Sequence, residues 1–204
     1  MPSYLLCVIR TGKSSISDEH LAFLASVCYN CAMHVVKAPD PKLRVQTKVI
    51  NQITPTIKNT VDEMVRLTKT FVDPEGVGLA STQVGLDGQF FVSKMEDETF
   101  KAFFNPKIMK LSKKTKLMLE GCLSIPNFWG EVNRHVWVDA EYTDIEGSKI
   151  RERMTGLMAH IYQHEVDHLQ GKLFMDHILE QKTKLYKVVG KDRAGSEVFE
   201  EVAL

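Results

Sequence analysis

His164 and His168 stand four residues apart, with Glu165 directly after the first, in the run Gln163-His-Glu-Val-Asp-His-Leu169. On an α-helix, residues four apart lie one above the other, so these imidazoles can offer ring nitrogens to one point. Glu165 falls beside that point, where a carboxylate can hold and deprotonate a metal-bound water. The pattern is H-E-x-x-H: two helical imidazole ligands and a general base. The flanks read as helix. Thr155 suits an N-cap, Leu157, Met158, Ile161 and Leu169 supply apolar turns, and Gly171 suits the position just past the end. His160 extends the histidine column by one turn. At about 5.4 Å per turn the outer two histidines are too far apart for one ion, so one adjacent pair chelates. The pair 160/164 has Ile161 in the base position and the pair 164/168 has Glu165, which assigns the metal to His164 and His168.

A third ligand is needed. One large class of zinc proteases continues the motif to a further histidine, but Phe174 occupies that position here. Glu180, Glu197 and Glu200 are carboxylate candidates. Cys122 is the better one, in a Gly-Cys dipeptide between strands, where a metal would hold it as thiolate. Taken alone, it reads more readily as a small buried residue. Cys28 and Cys31 form a lone C-x-x-C without the strand-to-helix context of a redox pair, and read as small residues on a packed helix face.

These residues need elements to position them. The chain has 204 residues, 26 basic and 26 acidic, and is 44% hydrophobic. That length suits one domain with an extension, and the balanced charge gives no support to a general nucleic-acid or membrane binder. No apolar run reaches the roughly 18 residues needed to cross a membrane, no signal peptide is evident, and four irregularly spaced cysteines fit a reducing compartment. The cytoplasm is the expected location. Residues 1–37 read as a helical extension ended by Ala-Pro-Asp-Pro, and 38–204 as one catalytic domain. Within it, Thr54 and Pro55 open a helix running to Phe71. Gly76 to Gly85 lacks the spacing of a dinucleotide fingerprint, with neither a strand before it nor a helix after it evident. Strands are expected at 89–93, 100–104, 136–143 and 148–154, a lysine-rich hairpin edge at 107–116, and a second helix at 178–189. Strand runs with two or three helices predict an α+β fold of mainly antiparallel sheet.

Three separated stretches carry a family resemblance. Gly76-Val-Gly-Leu-Ala-Ser-Thr-Gln-Val-Gly85, Glu120-Gly-Cys-Leu-Ser-Ile-Pro126 and Gln163-His-Glu-Val-Asp-His-Leu169 closely resemble, in order and spacing, the three signature motifs of bacterial-type peptide deformylase. The resemblance runs from about Val36 to Ile178 and implies mainly antiparallel sheets around a central H-E-x-x-H helix. It implies a hydrolase that removes the N-formyl group from the initiator methionine of new polypeptides. The metal would be Fe2+ natively, with Zn2+, Ni2+ or Co2+ as substitutes, held by Cys122, His164 and His168. Glu165 would be the acid–base, and the Gln83 amide and Leu123 N–H would be the oxyanion donors. Val77 and Gly78 would pair with an N-formylmethionyl peptide. Glu120 is expected to orient the cysteine loop beside the bound substrate, and Asp167 to support a ligand histidine. A monomer is expected, with a salt-sensitive ribosome contact through Lys182, Lys184 and Lys187 on the carboxy-terminal helix.

Four positions depart from the family pattern. Ser81 and Thr82 stand where alanine and proline are common, and Trp129 stands where several members have an arginine. His160 stands where an apolar residue lines the methionine pocket, and is expected to add an imidazole to that pocket. Two rival readings are a zinc endopeptidase, which needs a downstream third ligand, and a non-catalytic metal-stabilised binding protein, for which Glu165 would be dispensable.

Overall fold

Thr54 starts the first long helix, α1 (Pro55–Lys69): its hydroxyl accepts from the Ile57 N–H at 3.3 Å, and Pro55 opens the first turn. The computed structural model describes residues 33–192 and 195–203, so the Cys28/Cys31 pair and most of the expected extension helix lie outside the described residues. After α1 come β1 (Gly78–Ala80), a 3-10 turn at Ser81–Val84, β2 (Phe90–Lys94) and β3 (Phe100–Leu111). The chain continues through β4 (Thr115–Cys122), β5 (Ile125–His135), β6 (Trp137–Thr143) and β7 (Lys149–Thr155). The motif helix α2 (Gly156–Leu169) and a short α3 (Phe174–Gln181) follow, then β8 (Leu185–Lys191) and β9 (Glu197–Val202).

The strands form two antiparallel sheets, ordered β1-β2-β3-β6-β7 and β4-β5-β8-β9. The fold is the expected α+β arrangement around the H-E-x-x-H helix. Phe91 and Phe103 stack across β2 and β3 with centroids 4.7 Å apart, and Tyr162 of α2 meets both edge-on. Ten of the fourteen α2 residues are buried, so the helix is wrapped on nearly all sides. That blurs its amphipathic stripe but fixes its direction.

Three expectations need correction. The helix expected at 178–189 does not form. The actual helix, α3, ends at Gln181 with Lys182 in a left-handed conformation, and the chain then enters β8. Tyr186, Val188 and Val189 are strand formers, and Leu185 packs inward, which outweighs the helical spacing. The three lysines therefore share no helix face: Lys184 pairs with Glu201 at 2.8 Å, and Lys187 lies within β8. Second, the lysine-rich run is no hairpin, because β3 and β4 belong to different sheets and the turn between them carries the chain across. Third, the body begins before residue 38. Val35 and Val36 are each 7% exposed, and the Val36 N–H donates to the Gln83 carbonyl at 2.7 Å.

Candidate metal centre

The tight turn between β4 and β5 delivers Cys122 to α2. Its Sγ lies 3.2 Å from His168 Nε2, and the donor atoms of Cys122, His164 and His168 all fall within 4.8 Å of one another. The two imidazoles meet edge to face with centroids 4.9 Å apart, as four-residue helical spacing requires. Burial opposes ionisation of the Cys122 thiol, but the His168 and His164 imidazoles outweigh it and hold the thiol well below its ordinary range. One soft sulfur and two imidazoles, preassembled and deprotonatable, fit a divalent transition metal with an open position.

Glu165 follows His164 and turns toward β1. It is 3% exposed, and its Oε2 is buried with no hydrogen-bond partner among the described residues. Burial pushes its carboxyl up to about 7, against the pull of His164 and His168. Gly78 is what lets this carboxylate in: a Cβ there would collide with Glu165 Oε1 and lie 2.9 Å from Cδ. Among the described residues, β1 is the edge strand of its sheet, with one side unpaired. Val77 borders the adjacent groove with Leu157, Met158 and Ile161.

Gln83 reaches the same point from the 3-10 turn after β1. Its Oε1 accepts from the Ala80 N–H at 2.8 Å, which aims Nε2 at Cys122 Sγ (3.4 Å) and Ser124 Oγ (3.2 Å). Leu123 follows Cys122 directly, and its carbonyl accepts from Lys37 Nζ at 2.6 Å. Two departures turn out to be structural. The Ser81 hydroxyl donates to the Gly88 carbonyl at 2.5 Å, and the Thr82 hydroxyl to the His168 carbonyl at 3.3 Å. Trp129 covers Gly121 and meets Phe199 edge-on at 6.4 Å.

Behind His164 the structure departs from expectation. Glu120 is 4% exposed, and its carboxylate faces inward: Oε2 accepts from His164 Nδ1 at 2.8 Å, and Oε1 from Arg134 Nε at 2.6 Å. Glu120, expected beside the substrate, thus bonds His164, the kind of support expected of Asp167. Burial raises its carboxyl, but His160, His164 and Arg134 hold it far below the usual carboxylate range. Asp167 bonds Arg134 and His177 instead of a ligand histidine. His160, expected in the methionine pocket, packs against the same carboxylate. It is 6% exposed and lies with Nε2 2.8 Å from Glu120 Oε1, because its position on α2 faces β4. Sequence reasoning missed Arg134 and His177 in this cluster. The available signal was period two: Val132 and Arg134 share the inward face of β5.

The chain matches the family model for polypeptide deformylase over residues 32–184. It is 38% identical over 148 residues to a peptide deformylase of Agrobacterium fabrum, covering 71% of this chain and 85% of that protein. To the chloroplastic peptide deformylase 1B of Oryza sativa it is 37% identical over 164 residues, covering 78% of this chain and 60% of that protein. The structure of a Thermotoga maritima peptide deformylase is similar with a TM-score of 0.68 at 31% identity, covering 72% of this chain and 98% of that one. A Synechococcus elongatus peptide deformylase in complex with actinonin gives 0.67 at 34% identity, covering 71% and 79%.

Proposed function

From the premise that this chain belongs to the polypeptide deformylase family, we propose that it hydrolyses the formamide of N-formylmethionyl peptides and releases formate. The observation that carries the reading is a single cluster. Cys122, His164 and His168 converge within 4.8 Å, with the Gln83 amide 3.4 Å from the Cys122 sulfur and the Glu165 carboxylate buried against Gly78.

Cys122, His164 and His168 would hold one divalent metal, with Fe2+ the proposed native ion and Zn2+, Ni2+ or Co2+ able to replace it. When bound, such an ion would act as a Lewis acid and lower the pKa of a water toward neutrality. Glu165 accepts the proton of the attacking water and returns it to the departing amine. Its enclosed position beside Gly78 keeps that proton from bulk solvent. The Gln83 Nε2–H, already oriented by the Ala80 N–H, would donate to the oxyanion that forms from the formyl oxygen, together with the Leu123 N–H. Such a donor is worth about 3–4 kcal/mol when preoriented. The substrate backbone would add to the free edge of β1 at Val77 and Gly78, which recognises main chain and leaves preference beyond the first side chain loose. The cytoplasm, where nascent chains emerge, is the proposed compartment.

An endopeptidase reading lacks its downstream ligand: Phe174 is 1% exposed in the core. Glu180 pairs with Lys172 at the protein surface. The test is formate release from formyl-Met-Ala-Ser by anaerobically purified protein, with metal analysis on the same sample. Stoichiometric metal without formate would defeat the proposal.

A further inference from the structure

His160 belongs to none of the catalytic roles above, yet it is buried against the group that holds a ligand histidine. Its Nε2 lies 2.8 Å from Glu120 Oε1, and neither ring nitrogen makes an aligned hydrogen bond among the described residues. A buried imidazole without a polar partner is costly, so the Glu120 carboxylate is what compensates it. That carboxylate is held from three directions. Oε1 meets Arg134 Nε and His160 Nε2, while Oε2 meets Arg134 Nη2 at 3.1 Å and His164 Nδ1 at 2.8 Å. His160 and His164 are one turn apart, so Glu120 bridges two successive turns of α2 and ties them to β4.

We infer that His160 is a positioning residue of the metal centre: it fixes the Glu120 carboxylate, which in turn orients the His164 ring beside Cys122. The inference rests on the metal-centre reading above. Rotation of the carboxylate about its last carbon–carbon bond would carry Oε2 away from His164 Nδ1. Arg134 bonds both oxygens from β5, and His160 adds a second contact to Oε1 from α2. The groove beside β1 is bordered by Val77, Leu157, Met158 and Ile161.

Cobalt-substituted full-length protein tests this, because its visible spectrum reports the sulfur–imidazole set and transfer of cobalt to a chelator reports how firmly that set is held. His160→Leu should speed cobalt release about tenfold, the lower end of the effect of removing a partner of a metal-bound histidine. It should also shift the visible bands and lower kcat with little change in KM. His160→Gln, whose amide N–H can reach Glu120 Oε1, should return release toward the wild-type rate, whereas the shorter His160→Asn should not. Unchanged release and spectrum in His160→Leu would overturn the inference. So would a change confined to the ranking of formyl-Met over formyl-norleucine peptides, which would return the ring to the substrate pocket. If the leucine variant does not fold, equal release by the Gln and Asn variants overturns it. Wild-type protein that binds cobalt but releases no formate defeats the deformylase reading instead and leaves the release comparison intact.

Discussion

Toward β1, the motif helix presents Glu165, whose Oε2 is buried without a partner among the described residues. Toward β4, β5 and α3, the same helix meets Glu120, Arg134, Asp167 and His177, which satisfy one another. Arg134 alone bonds both Glu120 oxygens and Asp167. A reacting group must keep some bonding capacity for substrate, water and metal, whereas a supporting group gains by having none to spare. On the proposed function the front would carry the chemistry and the back the geometry. Damage to the two should look different.

The largest effect is expected at the front. Glu165→Gln removes the proton acceptor but leaves all three donors in place, so kcat should fall roughly a hundredfold or more with metal content near that of wild type. Metal analysis and formate release on one preparation decide it; near-normal turnover would end the assignment of Glu165 and blur the distinction between front and back. The matching change at the back is Arg134→Met. It leaves Glu120 and Asp167 as buried charges without their guanidinium, which costs about 3–5 kcal/mol of stability when one member of a buried pair is removed. Urea unfolding of the metal-free protein should register that loss, and the Glu165→Gln protein should not share it.

The histidine–glutamate part of the front was legible from spacing because it is local, while Gln83, Cys122 and Leu123 joined it only through the family resemblance. His164, Glu165 and His168 lie within one helical turn and a half, and Cys122, Leu123 and Ser124 form one tight turn. The back depends on register. Arg134 reaches Glu120 only because β4 and β5 pair with Lys116 opposite Arg134 and Glu120 opposite Gly130. His177 reaches Asp167 only because α3 begins at Phe174 rather than at Ile178. Reading 178–189 as helix thus lost both a strand and a member of the site. The contact of His160 with Glu120 was missed for a related reason. Helical spacing alone gave its distance from His164 but not what α2 faces on that side.

The back also predicts a pH dependence. Burial raises the Asp167 carboxyl, but His177 and Arg134 outweigh it and leave the group below its ordinary value. The unfolded carboxyl titrates near about 3.9, so the stability that ionised Asp167 contributes is complete above that pH. It is lost as the pH falls through the lowered folded value. Asp167→Asn should therefore be less stable than wild type at neutral pH, with the gap closing below about pH 4. Urea midpoints across that range measure it, and a gap that stays constant would mean that Asp167 acts through shape rather than charge.

The smallest effect tests whether the front has support of its own. Lys37 lies at the rim, its Nζ donating to the Leu123 carbonyl at 2.6 Å and standing 5.6 Å from the Phe71 ring centroid. Burial lowers its pKa, and the negative charge of Cys122 acts in the opposite sense. By holding the Leu123 carbonyl, Lys37 limits how the turn can twist, and so limits where the Leu123 N–H points. Because the lysine is exposed, losing this bond should cost only about 0.5–1 kcal/mol, or roughly two- to fivefold in kcat. Lys37→Met should show that decrease with KM unchanged, and Lys37→Arg, which keeps a donor and a charge, should recover most of it. A rise in KM with kcat intact would mean that the lysine touches the peptide, and that the turn holds Leu123 in place without help.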